Sequence, residues 1–92
     1  MNTLQDTILK NLCYTELVYG RINKKLHTQL TNLAIETMLF ASIKETEMPF
    51  FEKIGKNFYI INSKNNIKIT VNANTYRVIT VDKIQPKFEP KN

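Results

Sequence analysis

The apolar positions of this chain change period once, near Pro49. Before it they recur every three to four residues, as on a helix face; after it they alternate, as along a strand. Three helices are predicted in the first half. Thr3-Leu4-Gln5-Asp6 has the form of a capping box with Asp6 in the place usually held by Glu or Gln, so the first helix starts at Thr3. Leu4, Ile8 and Leu12 then make one stripe. A break at Cys13–Thr15 follows, because Thr15 is a second N-cap residue and Glu16 suits a first helical turn. The second helix covers Glu16–Leu26. The third runs from Leu33 to Glu45, is capped by Thr31 or Asn32, and is entered through the polar segment His27–Asn32. Its sequence, LAIETMLFASIKE, is apolar almost all round, with Ile35, Leu39 and Ile43 on one line. That pattern predicts a central helix on which the other elements pack.

Four strands are predicted after Pro49: Phe50–Ile54, Asn57–Asn62, Ile67–Asn72 and Tyr76–Lys83. Gly55-Lys56, Ser63–Asn66 and Ala73–Thr75 separate them, and Gly and Asn tolerate the positive φ of tight hairpins. Separators this short force an antiparallel meander. The expected fold is therefore α+β, with two or three N-terminal helices packed on one face of a four-stranded antiparallel β-meander. One domain should span residues 1–84, with QPKFEPKN at 85–92 as a flexible surface tail. Ile67, Ile69 and Val71 alternate with Lys68, Thr70 and Asn72, so the third strand has one greasy and one wet face. The second and fourth strands carry apolar groups on both faces. Their outer face is then either covered or a partner surface, and a homodimer through it would use Tyr59 and Ile61.

Charge sharpens this picture. The net charge is +5. Residues 1–47 hold five basic and five acidic side chains, whereas residues 48–92 hold eight basic and three acidic, so the excess lies in the strand half. Between Lys53 and Val81 there are five basic residues and no acid. An acid-free run of this kind is the expected footprint of a surface for an anionic partner. The candidate partner-binding residues are Lys53, Lys56, Tyr59, Lys64, Lys68, Thr70, Asn72 and Arg77. The competing reading is compositional. Lys, Asn and Ile each occur eleven times, and all three have codons rich in A and T; this accounts for abundant Lys but not for the missing acids.

The second helix, ELVYGRINKKL, carries its own knot of base. At about 100° per residue, Val18, Tyr19, Ile22 and Leu26 share one arc, which Leu17 and Tyr14 extend. Arg21 and Lys25 fall between Leu17 and Val18, and Lys24 falls outside, near Gly20. Arg21 and Lys25 are expected to lay their stems on apolar surface and send their heads to the rim or to a carboxylate, as framing residues.

The remaining composition excludes more than it suggests. Ninety-two residues suit one domain. One cysteine, Cys13, permits no intrachain disulfide and fits a reducing compartment. The N-terminus lacks a basic-then-apolar signal and no window approaches 18 apolar residues, so a cytoplasmic protein away from the membrane is expected. With one Cys, one His and scattered acids, no metal site, cofactor or catalytic group is expected. Two glycines make no phosphate-cradling loop, and the Gly-aromatic octamer of single-strand-binding sheets is absent.

The stretches YTELVYGRINKKL and NSKNNIKITVNANTYRVITVDKI resemble a family of small bacterial proteins known only as a domain of unknown function, over roughly residues 12–84. The resemblance implies a small intracellular bacterial or phage-borne protein and brings no catalytic residue. The expected function is a small non-enzymatic binding protein. Its partner would be a larger protein or ribonucleoprotein, a nucleic-acid-associated target such as a bacterial defence system inhibited by a phage or mobile element. The alternatives are a direct RNA- or DNA-binding domain using a basic sheet face, and a small enzyme or ligand-binding protein.

Overall fold

A computed structural model describes residues 3–84; the tail expected at 85–92 lies outside them. Three helices precede a four-stranded sheet: α1 (Leu4–Asn11), α2 (Glu16–Leu26) and α3 (Asn32–Glu45), a single 3-10 turn at Met48–Phe50, then β1 (Phe51–Ile54), β2 (Asn57–Asn62), β3 (Ile67–Asn72) and β4 (Val78–Lys83). Every strand pairs antiparallel with its neighbour in the order β1-β2-β3-β4. The fold is the α+β meander that the change of period predicts.

The caps explain the helix starts. Thr3 and Thr31 accept hydrogen bonds from the backbone N–H of Asp6 and Ala34, each at 3.1 Å. Thr15 caps α2 by position only, without a side-chain bond. His27 ends α2 in the left-handed region at φ 58° and returns its N–H to Asn23 and Lys24.

The core lies between the helices and the inner sheet face. Ile8, Val18, Ile22, Leu26, Ile35, Leu39 and Ile43 meet Phe58, Ile60, Ile67, Ile69, Val71, Val78 and Val81. A polar cluster locks one end. Asn62 Nδ2, buried, donates to the Ser42 carbonyl at 3.0 Å, to Thr46 Oγ1 at 2.9 Å and to Glu45 Oε2 at 3.1 Å. Gln5 donates to the Ile43, Lys44 and Thr46 carbonyls, satisfying the C-terminal end of α3 from α1.

Two expectations are corrected. The third helix is not wrapped on all sides: Leu33 is 71% and Phe40 45% exposed, and only the Ile35–Leu39–Ile43 line with Ser42 is buried. A sheet has one inner face, and α2 takes its place along β4, so α3 keeps an outer side. The fourth strand starts at Val78 rather than Tyr76, because Tyr76 sits at φ 60°, which no strand residue adopts. The Tyr76 ring stacks on Phe58 at 6.5 Å, and its carbonyl accepts from the Cys13 N–H at 3.0 Å. Cys13 in turn accepts from the Val78 N–H at 2.9 Å, making one parallel bridge on the outer edge of β4. The opposite edge, β1, carries Glu52 and Lys53. Self-pairing about a two-fold axis normal to the sheet would set one of these opposite its own copy, a like-charge penalty that guards the edge.

Candidate functional site: a basic groove between α2 and β4

The candidate residues of the strand half do not converge. Register puts Tyr59, Thr70 and Thr80 in one row of the outer face, with Ile61, Lys68 and Asp82 in the next. The acid-free run of sequence is therefore not an acid-free surface: Asp82 is the cross-strand partner of Lys68, and Glu52 is that of Tyr59. Lys68 Nζ stands 5.6 Å from the centroid of the Tyr59 ring. Thr70 shares this face but is only 4% exposed. Asn72 Oδ1 accepts from the N–H groups of Asn74 and Thr75 at 2.8 and 2.9 Å, which forms the β3–β4 turn. Lys53 has inner-face parity on the edge strand, opposite Phe58. Lys56 lies in the β1–β2 turn, beside the β3–β4 turn through the Ala73 N–H to Lys56 carbonyl bond. Lys64 lies at the other end of the sheet, 3.6 Å from Glu45.

Base does converge on α2. Val18, Ile22 and Leu26 face the core. On the other side, Leu17, Gly20, Arg21, Lys24, Lys25 and His27 line a groove of about 870 Å³, closed by Thr80 of β4. Their wheel positions run from His27 and Gly20 through Lys24 and Leu17 to Arg21 and Lys25, one continuous arc. Leu17, which the wheel placed beside the apolar stripe, is instead 81% exposed in the middle of this arc. Arg77 joins Arg21 in the adjoining hollow along the same seam.

β4 explains the seam's geometry. Thr70 pairs with Thr80 and Val71 with Val78, so Ile79 is an extra, bulged residue. Arg21 Nη1 approaches its carbonyl at 3.5 Å, a long contact. Lys25 Nζ sits 2.8 Å from Asp82 Oδ1, a half-exposed pair worth about 0–1 kcal/mol. Among the described residues, no acid pairs with Arg21 or Lys24.

Gly20 is the odd member. Glycine inside a helix costs about 0.5–1 kcal/mol relative to alanine. A Cβ at Gly20 would meet nothing within 4 Å beyond its own helix, so packing does not demand the glycine. The sequence shows the glycine; its place on the groove floor was not legible before α2 was set against β4.

Elsewhere, Tyr14 stacks on Tyr19 at 5.4 Å, and Tyr19 donates to Glu36 at 2.5 Å. That bond, with some burial and the nearby carboxylate, raises the Tyr19 pKa to about 12. Burial, then Glu36, pushes Tyr14 up as well. The Cys13 thiol contacts the Thr75 carbonyl at 3.4 Å. His27 lies beyond the opposite end of α2 from Cys13. Among the described residues no three His, Cys, Asp or Glu side chains gather as a metal site, and no helix is long and apolar enough to cross a membrane.

A family model described as protein of unknown function (DUF3781) matches residues 6–82. The chain belongs to this family. The DUF3781 match covers all of α2 and β4 as far as Asp82, and hence both walls of the groove. It agrees with the resemblance drawn over residues 12–84. No curated protein and no solved structure matches this DUF3781 chain.

Proposed function

We propose that this chain is a small non-enzymatic binding protein that offers the α2–β4 seam to an acidic surface of a larger, nucleic-acid-associated target. The observation that carries the reading is the gathering of Arg21, Lys24, Lys25 and His27 in one groove, with Arg77 beside it. A basic seam of this kind steers an anionic partner and fixes its register. The test is capture on the immobilised full chain from a bacterial lysate at low salt, with and without nuclease, beside an Arg21→Glu/Lys24→Glu variant. A defined macromolecule should be retained by the parent chain, depleted by the variant and released by salt. Recovery of nothing above bare matrix overturns the reading. Its narrower form, a phage or mobile-element inhibitor of a bacterial defence system, requires the captured target to be a defence component whose activity falls on adding the protein.

Direct RNA or DNA binding through the sheet is the weaker reading. Lys68 already covers the Tyr59 ring, and Asp82 and Glu52 flank the same face, which works against base stacking and phosphate contact. A shift of labelled oligonucleotides at low salt, lost in Lys68→Glu but kept in Arg21→Glu, would reverse this preference.

A further inference from the structure

The groove differs from a plain cationic patch in its floor. Leu17 stands exposed between charged neighbours, and Gly20 leaves the helix backbone bare with open space above it. Arg21, Lys24 and Lys25 line the groove with methylene stems beneath their charged heads. The result is a carbon-lined trough with a cationic rim. Among the described residues no Phe, Tyr or Trp lines it, so it offers nucleobases only the small planes of the His27 imidazole and the Arg21 guanidinium. Lys25 is engaged by Asp82, whereas Arg21 makes only its long contact to the Ile79 carbonyl. Arg21 and Lys24 therefore hold the charge available to a ligand.

We propose that this groove seats an acidic peptide segment of a partner protein, with one apolar side chain against Leu17 and the bare backbone of Gly20. Flanking Asp or Glu carboxylates pair with Arg21 and Lys24, the guanidinium donating a two-pronged contact. The absent Cβ gives the peptide its closest approach, and the helix carries an unfavourable glycine for that purpose. The inference rests on the binding-protein reading and assigns the class of its partner.

The experiment selects peptides from a random twelve-residue display library against the full-length protein and measures their affinity by fluorescence anisotropy. Enriched peptides should carry Asp or Glu around a Leu, Ile, Met or Phe. Gly20→Leu and Arg21→Glu should each weaken them at least tenfold, with the circular dichroism of the fold retained. Gly20→Ala should raise the melting temperature by about 3–6 °C yet weaken the same peptides. Selection that enriches nothing, peptides without excess acid, or affinities indifferent to Gly20→Leu overturn the proposal. So does a labelled fifteen-residue oligothymidylate that binds with Gly20→Leu sensitivity where the peptides do not, since nucleic acid is then the occupant. Lysate capture that persists when the peptide arm fails overturns the acidic-peptide assignment alone; loss of both overturns the binding-protein reading as well.

Discussion

Two basic stretches of this chain meet opposite fates. The run from Lys53 to Val81 has no acid in sequence, yet its cations disperse. Alternation sends neighbouring side chains to opposite faces, and each hairpin sends the next charge to the other end of the sheet. Lys56 reaches one end and Lys64 the other, while Asp82, just outside the run, is brought back opposite Lys68. In α2 the charges stand three and four residues apart, which the helix stacks on one side. Its cations concentrate even though α2 also holds Glu16. Charge segregation along a sequence thus becomes charge segregation on a surface only when its spacing matches the period of the element that carries it.

The comparison breaks most visibly if α2 is loosened. Ile22 is fully buried at its centre, so Ile22→Ala should cost about 2–5 kcal/mol and be read as a large fall in melting temperature. Lys56→Ala in the turn should stay within about 0.5 kcal/mol. Similar losses for the two would mean that α2 is not anchored as described.

Asn62→Ala comes next. It removes the amide donor that Thr46 Oγ1 and the Ser42 carbonyl share inside the α3–β2 junction, leaving the carbonyl with the Thr46 hydroxyl at 2.7 Å. A loss of about 1–3 kcal/mol is expected by chemical denaturation, with the groove far from the change and affinity for its ligand preserved.

Within the seam, Arg21→Ala should cost more stability than Lys24→Ala, by up to about 1 kcal/mol, because only Arg21 reaches across to β4. Equal melting temperatures for the two variants would remove the distinction between a residue that frames the groove and one that only rims it.

A smaller effect is pH-dependent. The folded-state pKa of Tyr19 is raised above its ordinary value of 10.0, to about 12, chiefly by its hydrogen bond to Glu36. A raised pKa means the folded state holds the proton more tightly, so this contribution is complete below pH 10 and is lost as pH rises from there through about 12. Denaturation midpoints measured from pH 8 upward should decline above pH 10 and decline less in Tyr19→Phe. An unchanged slope in that variant would dissociate the Tyr19–Glu36 pair from stability.

Much of this molecule is written in local pattern. The change of period at Pro49, the caps at Thr3 and Thr31, and the turn residues Gly55 and Asn66 act within a few residues of themselves, so their consequences were readable along the chain. The class of fold and the partition of β3 into greasy and wet faces follow from them. What needed the tertiary structure was every statement that joins distant residues. The left-handed Tyr76, the Cys13 bridge that guards β4, the bulge at Ile79 and the exposure of Leu17 depend on how α2 lies along the last strand. The physical reason is that periodicity assigns a side chain to a face of its own element, while only packing decides which faces are covered and which are left to line a groove.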